Sequence, residues 1–131
     1  MKLDMEFSKE FESWLASALA PEIPSIVVAF SFNIFELDSA QANYGIELVG
    51  CDEFDAGDSD WACGEVWVAS PRSIFIPRGF VSGGWEACLH GIEQLVLSVM
   101  EKSSVATKKL KEAKAVAVGF VDGDLKLIWQ R

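Results

Sequence analysis

Carboxylates are the residues of this chain most densely placed for chemistry. Between Cys51 and Trp67 (CDEFDAGDSDWACGEVW) stand Asp52, Glu53, Asp55, Asp58, Asp60 and Glu65, with Trp61 and Trp67 beside them and no Lys or Arg. Like charges held this close repel, so a free fold gains nothing by gathering them. A cation or a basic surface outside the chain is the natural complement. Catalytic acid–base work would need surroundings that separate the proton affinities of these carboxylates. A polar loop supplies none, so they read first as a solvated face.

The cation reading can be tested by spacing. An EF-hand loop needs oxygen ligands at positions 1, 3 and 5, Gly at 6 and Glu at 12. With Gly57 at position 6, Asp52 falls at 1, but Phe54 and Ala56 occupy 3 and 5 and Cys63 occupies 12. The pattern fails and leaves only weak, irregular cation binding open. Zinc is less well served: Cys51, Cys63 and Cys88 lack knuckle spacing, and Cys88 and His90 lie two apart on a helix, pointing to different faces. We expect no metal and no cofactor.

His90 is the only imidazole and the only ordinary general base near neutral pH. Its neighbours at helical spacing are Glu86 and Glu93, and a solvated surface histidine is the simpler account. A Cys–His pair would need Cys51 or Cys63 to reach it from the sheet, which nothing in the sequence requires. The segment GFVSGG at 79–84 has neither GK[ST] nor GxGxxG and reads as a flexible lead into a helix. Lys108, Lys109, Lys111 and Lys114 read as a solvated helix end and not as a nucleic-acid patch.

These residues must be positioned by one domain, since 131 residues suffice for a core without disulfides. Half the residues are hydrophobic, which excludes a disordered acidic tail. The net charge of −9 is unevenly spread: residues 1–71 carry fourteen acids against two lysines, and residues 72–131 carry six acids against nine bases. That asymmetry favours a basic protein partner and disfavours nucleic acid or anionic membrane. Three cysteines without a CxxC suit a reducing compartment. The opening MKLDMEFSKEFESW places acids where a signal peptide needs an apolar run, and no stretch reaches membrane-spanning length. A cytoplasmic location is the expectation.

Periodicity supplies the elements. Leu3, Phe7, Phe11, Trp14, Leu15 and Ala18 predict an amphipathic helix, capped by Asp4 and ended by Pro21 and Pro24. Ile26 to Ile34 predicts a strand, Asp38 to Asn43 a turn, and Tyr44, Ile46 and Leu48 a second strand. Residues 61–67 alternate as a third, broken by Ser70, Pro71 and Arg72, with SIFIP a short edge piece. Arg78 to Gly84 is a loop. Trp85, Leu89, Ile92, Val96 and Val99 predict a second helix, followed after Ser103 and Ser104 by a short Lys-rich segment. A hairpin closes the chain: Val116, Val118 and Phe120, a turn at Asp122-Gly123, then Leu125, Leu127 and Trp129. Strands arriving in runs predict the α+β class, with an antiparallel sheet of five or six strands, two main helices on one face and no parallel crossover.

The segments IELVG at 46–50, FDAGDSDWACGEVW at 54–67 and AVAVGFVDGD at 115–124 resemble the small, acidic, single-domain immunity proteins of bacterial toxin–immunity systems, including contact-dependent inhibition. The resemblance implies a non-enzymatic protein that neutralises a basic toxin domain. Where that domain is a nuclease, its cleft is basic and carboxylates can stand where phosphates would. The expected contact set, which rests on charge and aromatics alone and not on the resemblance, is Asp52, Glu53, Asp55, Asp58, Asp60, Trp61 and Glu65. Trp61 has two readings, an interface anchor or a core indole. Two other functions stay open: a small enzyme working through the acidic stretch and His90, and a regulatory protein-binding module.

Overall fold

The computed structural model describes residues 5–38, 42–80 and 83–131. Leu3 and Asp4 of the expected first helix, residues 39–41 of the expected turn, and Val81 and Ser82 of the expected loop lie outside the described residues.

The first helix, α1 (Met5–Ala18), buries Phe7, Phe11, Trp14, Leu15 and Ala18 on one stripe, as their spacing requires. The amide of Val27 then donates to Pro24 O at 3.0 Å, closing a turn that leaves Ile26 exposed. The strand expected from Ile26 therefore starts later, as β1 (Ala29–Glu36). It pairs antiparallel with β2 (Tyr44–Cys51), setting Phe32 opposite Leu48 and Ile34 opposite Ile46.

Residues 61–67 do not form the single strand that their alternation suggests. Ser59–Cys63 is a 3₁₀ helix, and β3 (Glu65–Ile76) begins only after Gly64. Asp58 caps the 3₁₀ turn, its Oδ1 accepting from the Asp60 amide at 3.0 Å, and this local bond draws Trp61 out of extended geometry. Nor does Pro71 end the strand. The ladder to β2 is irregular there, running from Val49–Val68 to Glu47–Ser73, so no regular pairing is asked of Pro71. The strand is also a sheet edge, where proline is tolerated. Pro71 O instead accepts Trp14 Nε1–H at 2.7 Å, tying α1 to the edge.

The second helix, α2 (Trp85–Met100), and the Lys-rich α3 (Val105–Glu112) follow. Ser104 caps α3, accepting the Thr107 amide at 3.1 Å. Lys109 of α3 donates to Ala20 O at 3.0 Å and Pro21 O at 2.8 Å, so this lysine satisfies carbonyls beyond the end of α1. The chain ends in β4 (Ala115–Phe120) and β5 (Leu125–Gln130), joined by a turn in which the Gly123 amide donates to Phe120 O at 3.0 Å.

The class is α+β, with a five-stranded sheet in the order β3-β2-β1-β4-β5. The sheet is mixed and not wholly antiparallel: β4 runs parallel to β1, Phe30 facing Val116 and Phe32 facing Val118. A period of two reports which face a side chain takes and carries no information on strand direction. The crossover from β1 to β4 is hidden in sequence because β2, β3, α2 and α3 lie between them.

Large and small residues divide the two sheet faces. Phe30, Phe32, Ile34, Ile46, Leu48, Val116 and Val118 share a core with Phe7, Phe11 and Leu15 of α1, Ile92 and Val96 of α2 and Leu110 of α3. The intervening positions are small: Ala29, Ala115 and Ala117, with Val49 and Cys51, form a second, smaller core around Trp61. The alanines leave room for an indole, which is how the acidic segment is held on the sheet.

Candidate partner-binding surface

The acidic turn is built around its one apolar anchor. Trp61 is 4% exposed in the second core, and Phe54 packs edge-on against it with ring centroids 5.4 Å apart. Of its two readings, the core indole holds in the free chain. One backbone and one side-chain bond close the base of the turn, Asp52 N–H donating to Gly64 O at 3.2 Å and the Cys51 thiol to Ala62 O at 3.6 Å. With the apolar side turned inward, Asp52, Glu53, Asp55, Asp58 and Asp60 are exposed.

Two of these five carboxylates also shape the turn. Asp55 Oδ1 accepts the Gly57 amide at 2.9 Å, as Asp58 Oδ1 does that of Asp60. Each keeps its charge in solvent while holding the backbone, so the turn presents its acids from a hydrogen-bonded frame.

Glu65 stands apart from the other five. Arg72 grips it with two bonds, Nη2 to Oε1 at 2.9 Å and Nη1 to Oε2 at 3.3 Å, while Arg72 Nε reaches Glu47 Oε1 at 3.1 Å. These bonds raise the Arg72 pKa, the bond to Glu65 contributing most and that to Glu47 next. The expected field of six uncompensated acids is thereby corrected to five, because an internal base from β3 folds back onto Glu65. The other Glu47 oxygen accepts Asn33 Nδ2–H at 3.0 Å, and Asn33 Oδ1 accepts the Ser31 hydroxyl at 2.7 Å. A polar chain thus crosses β1, β2 and β3 beside the Trp61 core. Arg72, Glu47 and Phe54 were not legible as site residues from composition.

A groove of about 340 Å³ separates the 3₁₀ turn from the β4–β5 hairpin, with Asp60, Cys63, Phe120 and Asp122 in its lining. The acidic face therefore continues past the turn onto the hairpin tip.

The remaining candidates are dispersed. Cys51 and Cys88 are buried and Cys63 is exposed. Burial, aided by Glu65 and Asp52, pushes the Cys51 thiol up to about 12, and burial pushes Cys88 up to about 11. Neither is a ready thiolate at neutral pH. His90 is exposed, but Glu93 is not the solvated neighbour expected for it. Glu93 is buried and meets Lys126 of β5 at 3.4 Å, because β5 packs across this part of α2. Among the described residues no three His, Cys, Asp or Glu side chains converge as a metal site would. No helix among them is long and apolar enough to cross a membrane.

Fold and site together define an α+β domain whose mixed sheet carries a hydrogen-bonded acidic turn on its alanine-lined face. Comparison with protein-family models, with curated proteins and with solved structures finds no match to this chain.

Proposed function

We propose that the chain is a binding protein for a basic protein partner, and that the partner is a toxin domain which it neutralises as an immunity protein. The observation that carries this reading is the acidic turn itself. Five exposed carboxylates stand on a hydrogen-bonded frame anchored by a buried indole, while the arginine that reaches this segment is engaged by Glu65 and Glu47. A field that the chain leaves uncancelled accelerates encounter with a basic surface and favours it over acidic competitors. A hydrogen-bonded frame also leaves less backbone to order on association. On this reading the cytoplasm is where the chain acts, and the partner's cleft, not nucleic acid, is its ligand.

The test uses charge reversals that spare the frame. Asp55 and Asp58 are hydrogen-bond acceptors, so Glu53→Lys with Asp60→Lys is the informative pair. The open reading frame beside this gene is expressed with and without the chain. Growth arrest relieved by the wild-type chain, and relieved poorly by the doubly reversed one, is the expected result. Association should slow by at least tenfold at low salt, with a flatter salt dependence. Full protection by a folded double variant would remove the acidic turn as the contact surface.

A further inference from the structure

The hairpin tip has a second groove, of about 540 Å³, lined by Trp85 and Leu89 of α2, Phe120, Asp122, Gly123 and Asp124 of the hairpin, and Glu36 at the end of β1. It shares Phe120, Asp122 and Gly123 with the lining of the groove beside the 3₁₀ turn, which it approaches from the other face of the sheet. Its chemistry differs from that of the turn. Trp85 is 53% exposed, unusual for the largest apolar side chain, and its ring is fixed by a perpendicular contact with Phe120 at 5.9 Å. Phe120 is held in turn by Tyr44 at 5.6 Å. Three carboxylates rim this aromatic wall, and among the described residues no Lys or Arg lines it and none of the three makes an ion pair.

We infer that this groove is the subsite for a single arginine side chain projecting from the basic partner. A planar guanidinium can lie on the free indole face while its N–H groups reach the rim carboxylates. The groove lies at the N-terminus of α2, whose dipole amounts to about half a positive charge. Three full negative charges on the rim, with Glu86 in the first turn, outweigh it. An anion is excluded on the same ground, and a neutral apolar residue would desolvate the carboxylates without compensation. The inference rests on the proposed basic partner, deepening it from a charged surface to an aromatic cation pocket. It places the partner across the hairpin tip, with the acidic turn on one flank and Trp85 on the other.

The experiment titrates the full chain with octa-arginine, and with octa-citrulline as an uncharged match of the same shape, following the tryptophan indole N–H resonances. The Trp85 signal is identified by its loss in Trp85→Phe. Octa-arginine should shift that signal and octa-citrulline should not. Trp85→Ala should weaken octa-arginine binding roughly three- to fivefold. Asp122→Asn with Asp124→Asn provides a second variant that leaves the aromatic wall intact, and it too should weaken binding by at least threefold. If Glu53→Lys with Asp60→Lys weakens binding while the Trp85 signal stays still and both groove variants bind normally, the pocket is overturned and the acidic turn stands. If the groove variants alone weaken binding, the pocket stands and the turn is not the contact surface. Equal binding of octa-citrulline overturns cation recognition in the groove.

Discussion

At the scale of single residues, Trp61 and the buried thiols decide how the acidic turn behaves. Removing the indole in Trp61→Ala empties most of the second core, which is otherwise small: Ala29, Ala115, Ala117, Val49 and Cys51. Such a truncation costs about 3–5 kcal/mol, and thermal unfolding of the free protein should show a correspondingly lower Tm. A purely interfacial indole would leave the free protein's Tm in place. Cys51 and Cys88 set a limit at alkaline pH. Their folded pKa values, about 12 and about 11, lie above the ordinary 9.0, so above pH 9 the unfolded chain releases protons that the folded chain keeps. Unfolding is then favoured as pH rises, and this stabilisation is fully present below pH 9 and lost through the window up to the folded values. Denaturant titrations from pH 8 to 10.5 should show stability falling, with a shallower fall in Cys51→Ala measured against its own value at pH 8.

At the scale of elements, the hairpin that carries both grooves depends on close backbone approach. A Cβ at Gly119 would lie 2.6 Å from Asp124 O and 3.1 Å from Leu125 Cα, main-chain atoms at the end of the turn and the start of β5. Gly119→Ala should therefore destabilise by about 1–3 kcal/mol in urea unfolding. Gly64→Ala offers a contrast. Its Cβ would meet Asp52 Oδ1 at 2.7 Å, but an exposed carboxylate can swing away, so the cost should be well under half as large. The helical stripes, the paired strands β1 and β2 and the final hairpin were legible because burial imposes a period on sequence. Strand direction was not, since β4 alternates identically whether parallel or antiparallel to β1. The pairing of Arg72 with Glu65 was hidden for a related reason. Positions seven apart in a regular strand take opposite faces, and only the irregular ladder between Val49–Val68 and Glu47–Ser73 lets these two side chains meet. The acidic turn was visible as composition, but its frame was not, because Asp55 and Asp58 act on local amides that composition does not reveal.

At the scale of the whole molecule, the net charge of −9 includes the five exposed carboxylates of the acidic turn, which no ion pair among the described residues engages, and the free chain bears that repulsion continuously. Added salt screens charges across distances beyond about 8–10 Å at 0.1–0.15 M. The Tm of the free protein should thus rise between low and moderate sodium chloride, and Glu53→Lys with Asp60→Lys should blunt that rise. The parallel pairing of β1 with β4 bears on how the chain reaches this state. The central strand β1 pairs Ala29 with Ala115 of β4, so neighbours at the middle of the sheet lie far apart along the chain. Loop closure on that scale is slow and must precede the contacts that reward it. During synthesis the ribosome releases Phe30 and Phe32 long before Val116 and Val118 exist to pair beside them. A nascent chain ending at Ile76 has β1, β2 and β3 but an open strand edge on β1 and no second wall for its phenylalanines. A chain of that length presents an edge and apolar surface that favour aggregation and chaperone capture, and α2 with the C-terminal hairpin closes both.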